Sequence, residues 1–291
     1  MSGSNDYYVP HSSQWPIVAT IGLFTFFFGF ATFLNDMAVG KWIMFIGGAI
    51  LIYMLFGWFG TVIRESEGGY YNDQVDTSFR MGMGWFIFSE VLFFAAFFGA
   101  LFYVRNLAVP WLDEAELLWP GYDGGWPTAG PAGPQVLGPD THVESADFFS
   151  TIGAWGLPMW NTIILLTSSV TCTFAHWAFV KGQRARIIFW LAITVALGCL
   201  FLYFQAIEYH EAYTAYGLTL GTGIYGSTFF MLTGFHGLHV TIGTLILFIV
   251  LLRVIRGHFT EKNHFAFEGA AWYWHFVDTV WLGLFVFVYV L

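Results

Sequence analysis

One stretch decides the fold class of this sequence: YGSTFFMLTGFHGLHVTIGTLILFIVLLRVI, residues 225–255. Arg253 is its one Asp, Glu, Lys or Arg residue. A helix of about 20 apolar residues crosses the hydrocarbon core of a bilayer, so a longer one tilts or projects beyond it. The apolar residues do not alternate with polar ones, as they would in a transmembrane β-strand. We therefore predict a transmembrane helix over Tyr225–Ile255.

Six further stretches are similarly apolar and, although shorter, long enough to cross a bilayer. They are Trp15–Phe33, Trp42–Ile63, Met81–Val104, Met159–Val180, Ile187–Ile207 and Ala270–Leu291. Hydrophobic residues make up 57% of the 291 residues, and charged residues make up 10%. Soluble domains carry roughly 25% charged residues, so a water-soluble protein is excluded. The sequence predicts an all-α integral membrane protein with seven transmembrane helices.

The charged residues and the cysteines exclude two further classes. The formal net charge of −9 argues against a polybasic protein that binds nucleic acid. Cys172 and Cys199 both lie in apolar stretches, and neither belongs to a CxxC motif. The sequence therefore predicts neither a disulfide framework nor a thiolate metal centre.

The basic residues divide unequally between the two sides of the membrane. With seven spans, the N-terminus and the loops after spans two, four and six share one side. That side carries Arg64, Arg80, Lys181, Arg184, Arg186, Arg253, Arg256 and Lys262, and the other carries Lys41 and Arg105. Because basic loops stay in the cytoplasm, we expect a cytoplasmic N-terminus and a periplasmic C-terminus. Met1–Gln14 lacks the basic residues of a cleaved leader, which favours a bacterial inner (plasma) membrane, although an organelle-encoded chain would look similar.

The longest connection between spans runs from Asn106 to Leu157. It is rich in Pro and Gly, carries seven acidic residues and has no Lys or Arg. Such a composition predicts an outer loop with little regular structure. Either the loop is simply solvated, or its charge faces a basic soluble partner and speeds encounter.

Glu90 is the most unusual residue of the apolar stretches. As the tenth residue of the third span it lies about 14 Å below Met81, near the bilayer midplane. A charge there costs at least about 2.5–3.5 kcal/mol, so burial favours the neutral acid unless a cation pairs with it. Glu90 either makes a structural hydrogen bond to another helix, or handles protons or couples the chain to a partner. His236 is the first choice for its hydrogen-bond partner and His239 the second.

His236 and His239 lie three residues apart on one face of the sixth span. Such a pair can ligate a metal when further ligands are available, and His176, His275 and Asp278 are the other candidates. His176 and Asp278 lie nearer span ends, so a buried polar network is favoured and no metal site is predicted. Three glycines of this span are expected to permit close helix approach: Gly234, Gly237 and Gly243.

Two further polar pairs lie near helix ends. His275 and Asp278 lie three residues apart, one turn inside the last span. They form either an interfacial hydrogen-bonded pair or a buried acid that tunes a proton route. Gln205 and Glu208 end the fifth span near the outer face, where we expect them to be wetted.

A cluster of charged residues is expected at the inner face. Arg64 and Glu65 follow the second span, and Arg253, Arg256 and His258 close the sixth. Basic residues at helix ends are snorkelling anchors or binding groups for lipid phosphates. The sequence favours neither interpretation.

Several motifs together resemble subunit III of haem-copper (aa3-type) cytochrome c oxidase. They are WP (15–16), VIRES (62–66), SEVLFF (89–94), QAIEY (205–209), YGSTFF (225–230), GFHGLHV (234–240) and WYWHFVD (272–278). The resemblance covers nearly the whole chain except the Asn106–Leu157 insertion. It departs from many family members at Tyr70-Tyr71-Asn72, where they have paired histidines.

The resemblance implies a fold and a set of partners. Helices I–II (residues 1–66) would splay from helices III–VII (residues 67–291) in a V whose cleft holds structural phospholipids. The chain would be a subunit of a proton-pumping terminal oxidase with no redox centre of its own, bound to subunits I and II. Haem a and copper would lie in those partner subunits, and cytochrome c would interact only indirectly.

The resemblance also implies roles for individual residues. Glu90 matches the family's carbodiimide-reactive membrane carboxylate, and the chain would support proton uptake. Six residues match positions near lipid headgroups: Trp58, Arg64, Glu65, Arg253, Arg256 and His258. Alternatives are the equivalent subunit of a quinol oxidase, which typically lacks the first two helices, and an independent proton-coupled transporter.

Overall fold

The computed structural model describes residues 8–9, 12–260 and 264–291, so Lys262 of the charge count lies outside the described residues. Within these ranges, seven helical segments are long and apolar enough to cross a membrane. The helices are α1 (Trp15–Leu34), α2 (Gly40–Glu67), α3 (Asp73–Tyr103), α4 (Val109–Glu114), α5 (Leu157–Val180), α6 (Arg184–Thr214), α7 (Gly223–Arg256) and α8 (Phe265–Leu284). The predicted all-α membrane class with seven spans is confirmed.

Two helices extend well beyond their apolar stretches. Asn72 accepts a hydrogen bond from the Val75 amide at 3.0 Å, so α3 begins in polar sequence before the predicted Met81. A π-helical segment, Val104–Ala108, then joins α3 to α4. Helix α6 likewise continues to Thr214, beyond the predicted Ile207. Apolar runs mark the membrane-crossing part of a helix, and the helix itself can continue into polar sequence at either end.

The chain divides into two compact units, up to Met81 and from Gly82 to Leu291. In the first unit, α1 and α2 pack through glycines. A Cβ atom on Gly29 would lie 2.4 Å from the Met44 amide nitrogen, and one on Gly47 would lie 2.4 Å from that of Phe26. Helices in membranes associate through such close backbone contacts, because lipid offers no hydrophobic drive between them.

In the second unit, α5 packs on α6 and α8, and α7 packs on α6 and α8. Trp274 and Trp281 are fully buried, and their indole N–H groups donate to the hydroxyls of Ser168 and Thr162, both at 2.9 Å. A Cβ on Gly243 would lie 2.9 Å from the Trp274 ring, as the predicted close approach requires.

The other two glycines named in the prediction, Gly234 and Gly237, do not make such a close approach. A Cβ on Gly237 would meet nothing within 4 Å, and one on Gly234 would make ordinary contact with the Tyr209 hydroxyl at 3.6 Å. The three glycines point in different directions around the helix, so only Gly243 of the three faces the Trp274 ring.

The connection Asn106–Leu157 carries little regular structure, as predicted, but it is anchored to the helices of the second unit. Its two strands, β1 (Gln135–Leu137) and β2 (Phe148–Ser150), pair in parallel. The carbonyl groups of Thr128 and Ala129 accept the amides of Tyr225 and Ile224 at 3.2 and 3.1 Å. Phe149 is fully buried. A fully solvated loop is therefore the wrong description of this segment.

Candidate functional site

Glu90 of α3 pairs with His239 of α7. The His239 Nε2 atom lies 2.9 Å from Oε2 of Glu90, and the two side chains are 11% and 21% exposed. The rings of Phe93 and Phe94 lie 5.9 and 4.9 Å from the imidazole. An aromatic surround therefore excludes most water from this contact and strengthens it.

The second nitrogen of His239 fixes the proton count of the pair. Nδ1 lies 2.6 Å from the Phe235 carbonyl oxygen, which can only accept, so Nδ1 carries a proton. The contact between Nε2 and Glu90 then needs one proton. Either a neutral Glu90 donates it to a neutral imidazole, or an imidazolium donates it to the carboxylate. Both arrangements have zero net charge, which lowers the cost of placing them in a membrane.

His236, the first-ranked partner for Glu90, lies elsewhere. It is fully buried, with its ring centroid 5.1 Å from that of Trp281 and 5.7 Å from that of Phe201. Among the described residues neither ring nitrogen has a hydrogen-bond partner. His236 and His239 are three residues apart in a helix, so their side chains point about 60° apart around the helix axis. This difference is enough to direct the His236 side chain into the aromatic core.

His275 and Asp278 are close but not directly bonded. The His275 Nδ1 atom lies 2.7 Å from the Ser169 hydroxyl of α5 and 3.8 Å from Oδ2 of Asp278. Asp278 is buried, whereas the His275 side chain is 41% exposed. The hydrogen bond between Ser169 and His275 therefore links α5 to α8, while neither carboxylate oxygen of Asp278 has a hydrogen-bond partner among the described residues.

Gln205 and Glu208 are buried, so the prediction that they are wetted is wrong. Oε1 of Glu208 accepts hydrogen bonds from the Tyr289 hydroxyl at 2.6 Å and from Gln205 Nε2 at 3.3 Å. Tyr289 belongs to Phe285–Val290, a π-helical segment that continues α8. No pattern in the sequence indicates that Tyr289, 81 residues further along the chain, covers this acid.

Three of the predicted lipid-contacting residues belong to the first unit. Trp58 is half exposed and stacks on Phe59, with centroids 6.0 Å apart. The Arg64 guanidinium donates back to the Gly60 carbonyl oxygen at 3.2 Å. Glu65 accepts hydrogen bonds from the hydroxyls of Tyr8 at 3.0 Å and Tyr71 at 2.7 Å. Glu65 is therefore engaged by phenols of its own unit.

The bond between Tyr71 and Glu65 predicts a pH dependence. Partial burial, followed by the hydrogen bond to Glu65, raises the pKa of the Tyr71 phenol above its ordinary value. A raised folded-state pKa contributes stability that is complete below about pH 10 and is lost as pH rises toward the folded-state pKa. We expect heating at pH 8 and pH 11 to show a smaller alkaline loss of stability in Tyr71→Phe than in wild type. Tyr70→Phe, at an exposed neighbour, should behave like wild type, and equal alkaline losses in all three would contradict the assignment.

The remaining predicted lipid contacts lie at the end of α7. Arg253 is buried, with its guanidinium carbon 4.5 Å from the centre of the Phe259 ring. Arg256 is exposed, and His258 is partly exposed and bonds through its amide to the Arg253 carbonyl oxygen at 3.1 Å. Arg184 of α6 donates to the carbonyl oxygens of Val254 and Ile255. This end of α7 is held by a neighbouring cation that complements its helix dipole.

No predicted site residue except His176 belongs to a possible metal-binding group within the described part of the chain. That group is His176, His264 and Glu268, whose potential ligand atoms lie within 4.8 Å of one another. His264 and Glu268 were not among the predicted site residues. A His-x-x-x-Glu spacing at the start of α8 was the available signal.

Known proteins resemble this chain over almost its whole length. The family model for cytochrome c oxidase subunit III matches residues 5–121 and 146–291, so the unmatched part is narrower than the predicted insertion. Proteins named "Cytochrome c oxidase subunit 3" are 40% identical in Prototheca wickerhamii, 39% in Arabidopsis thaliana and 37% in Gadus morhua. These matches cover 97%, 99% and 97% of this chain and 96%, 97% and 96% of the relatives. The chain therefore belongs to the cytochrome c oxidase subunit III family.

Proposed function

We propose that this chain is a non-redox accessory subunit of a proton-pumping cytochrome c oxidase. It stabilises subunit I, holds structural phospholipids and supports proton uptake. Membership of the family places the chain in the terminal respiratory oxidase. Haem a and copper belong to the partner subunits I and II in this proposal, and cytochrome c, the electron donor, does not contact this chain directly.

The observation that carries the proposal is the pair formed by Glu90 and His239. It joins α3 to α7, has zero net charge in both of its proton arrangements, and is held by the Phe235 carbonyl. Such a pair holds the two helices together without a bound metal ion and without a change in the net charge of the pair. Proton uptake is then supported indirectly, through a rigid subunit beside the proton-conducting one.

Phospholipid binding is supported by exposed apolar surface and by the basic helix ends. In the most apolar 18-residue part of α1 and of α2, 11% of the residues are buried, whereas 50% are buried in the corresponding part of α7. Arg64 and Arg256 are exposed at helix C-termini. We propose that acyl chains cover the apolar faces and that lipid phosphates meet these guanidinium groups, with the N-terminus on the basic, inner side.

Replacing Glu90 with glutamine tests this link between α3 and α7. A glutamine amide can donate to Nε2 of His239 in place of the neutral acid, so we expect Glu90→Gln to keep the subunit in the purified complex and turnover within about twofold of wild type. Glu90→Leu leaves Nε2 unpaired, which costs about 1–3 kcal/mol, and should lower retention of the subunit. Retention is measured by gel and turnover by oxygen consumption.

Glu116→Gln is the matched control, because Glu116 is exposed in the connection Asn106–Leu157. It should resemble wild type in both measurements. Loss of the subunit in Glu90→Gln would contradict the link between α3 and α7. A large loss of turnover with full retention would instead assign proton exchange to Glu90. Purification of the chain alone, without haem absorbance, would contradict the oxidase role itself.

A further inference from the structure

A compact group of metal-binding side chains lies away from the Glu90 pair. His176 lies on α5, one turn before the helix ends, His264 directly precedes α8, and Glu268 lies in the first turn of α8. One potential ligand atom from each falls within 4.8 Å of the other two. The group therefore joins the end of one membrane helix to the start of another.

The donor set and its spacing suit one class of ion. Zinc binds imidazole nitrogen and carboxylate oxygen at about 2.0–2.2 Å and often takes three protein ligands with water as the fourth. In a tetrahedron of that size the ligands lie about 3.3 Å apart. Nε2 of His264 and Oε1 of Glu268 are already 3.0 Å apart. The nearest potential ligand atom of His176 lies within 4.8 Å of both.

The surroundings hold the ligands in place. Phe179 stacks on the His264 ring with centroids 5.4 Å apart and an interplanar angle of 17°. Phe267, fully buried, lies 5.8 Å from the His176 ring. His264 is buried, whereas His176 is partly exposed and offers an open side for water. Preorganised ligands with an apolar surround are what a divalent-ion site requires.

We propose that His176, His264 and Glu268 form a Zn²⁺ site that links α5 to α8, with water as the fourth ligand. Bound there, the ion fixes the end of α5 against the start of α8, and its water occupies an open fourth position. The site is independent of Glu90 and of the accessory role proposed above. It also replaces the expectation, drawn from the sequence, that the chain holds no metal.

Zinc content of the purified oxidase tests the site. The complex is stripped with a chelator, reloaded with Zn²⁺, desalted and analysed for zinc per haem by mass spectrometry. Wild type should hold one equivalent more than His176→Ala or Glu268→Gln, and the Kd of that equivalent should rise at least about tenfold in either variant. His142→Ala, which removes an exposed histidine of the connection Asn106–Leu157, should match wild type. Equal zinc content and Kd in all four proteins would overturn the proposal.

A second measurement needs no variant and remains decisive if a variant fails to assemble. Diethyl pyrocarbonate labels accessible imidazoles, and labelling is followed for each histidine peptide in the wild-type complex. Zn²⁺ should slow labelling of His176 and leave His142 unchanged. The same rate at His176 with and without Zn²⁺ would overturn the site.

Discussion

Alanine at Gly47 is expected to force α1 and α2 apart. Its Cβ would lie 2.4 Å from the Phe26 amide nitrogen and 2.6 Å from the Phe26 Cα atom. These are backbone atoms of a helix, so they cannot turn away as the end of a flexible side chain could. Overpacking of this kind costs about 1–3 kcal/mol, and contact with backbone places the cost at the upper end of that range.

The neighbouring glycine provides the control. A Cβ on Gly48 would meet nothing within 4 Å, so Gly48→Ala should be neutral or stabilise α2 by up to about 1 kcal/mol through helix propensity. The measurement is the temperature at which half of the subunit is lost when the purified complex is heated, read from native gels. Similar loss temperatures for the two variants would show that close glycine packing does not hold α1 on α2.

Trp281→Ala is expected to be the most damaging change within the second unit. The fully buried indole packs edge-on against Phe201, with centroids 4.8 Å apart, and lies 5.1 Å from the His236 ring. Its N–H donates to Thr162 at 2.9 Å. Alanine leaves a large cavity and removes the indole hydrogen bond to that hydroxyl, which costs about 3–5 kcal/mol in a well-packed core.

Trp272→Ala is the control on the same helix. Trp272 is 36% exposed and makes one distant edge contact with Phe265, at 6.4 Å. It should change the loss temperature of the subunit by a small fraction of the Trp281→Ala effect. If both variants lost the subunit at the same temperature, burial of Trp281 would not explain its importance.

The membrane spans could be predicted from the sequence because each requires a continuous apolar stretch. Their ends could not, since polar turns outside the lipid obey capping and packing. Asn72 illustrates capping, because its side chain starts α3 in sequence with no apolar signal. Glu208 illustrates packing, because only the folded chain brings Tyr289 over it.

The candidate site was predicted in part. Glu90 could be identified from one sequence, because a carboxylate in an apolar stretch needs a partner. The choice between His236 and His239 could not, since both lie on one side of α7 and only the folded chain shows that His239 contacts Glu90. His264 and Glu268 lie four residues apart, but His176 becomes their neighbour only when α5 packs on α8, so the group of three could not be predicted.

The connection Asn106–Leu157 has a consequence for how this family tolerates changes of length. The first amide groups of a helix have no partner within the helix, and here those of Ile224 and Tyr225 bond to Ala129 and Thr128. Those two carbonyls lie in residues 122–145, the part that the family model does not match. This segment thus caps the start of α7, although it is distant from that helix in sequence. A family member that shortens it must supply two other acceptors or leave the start of this helix to water.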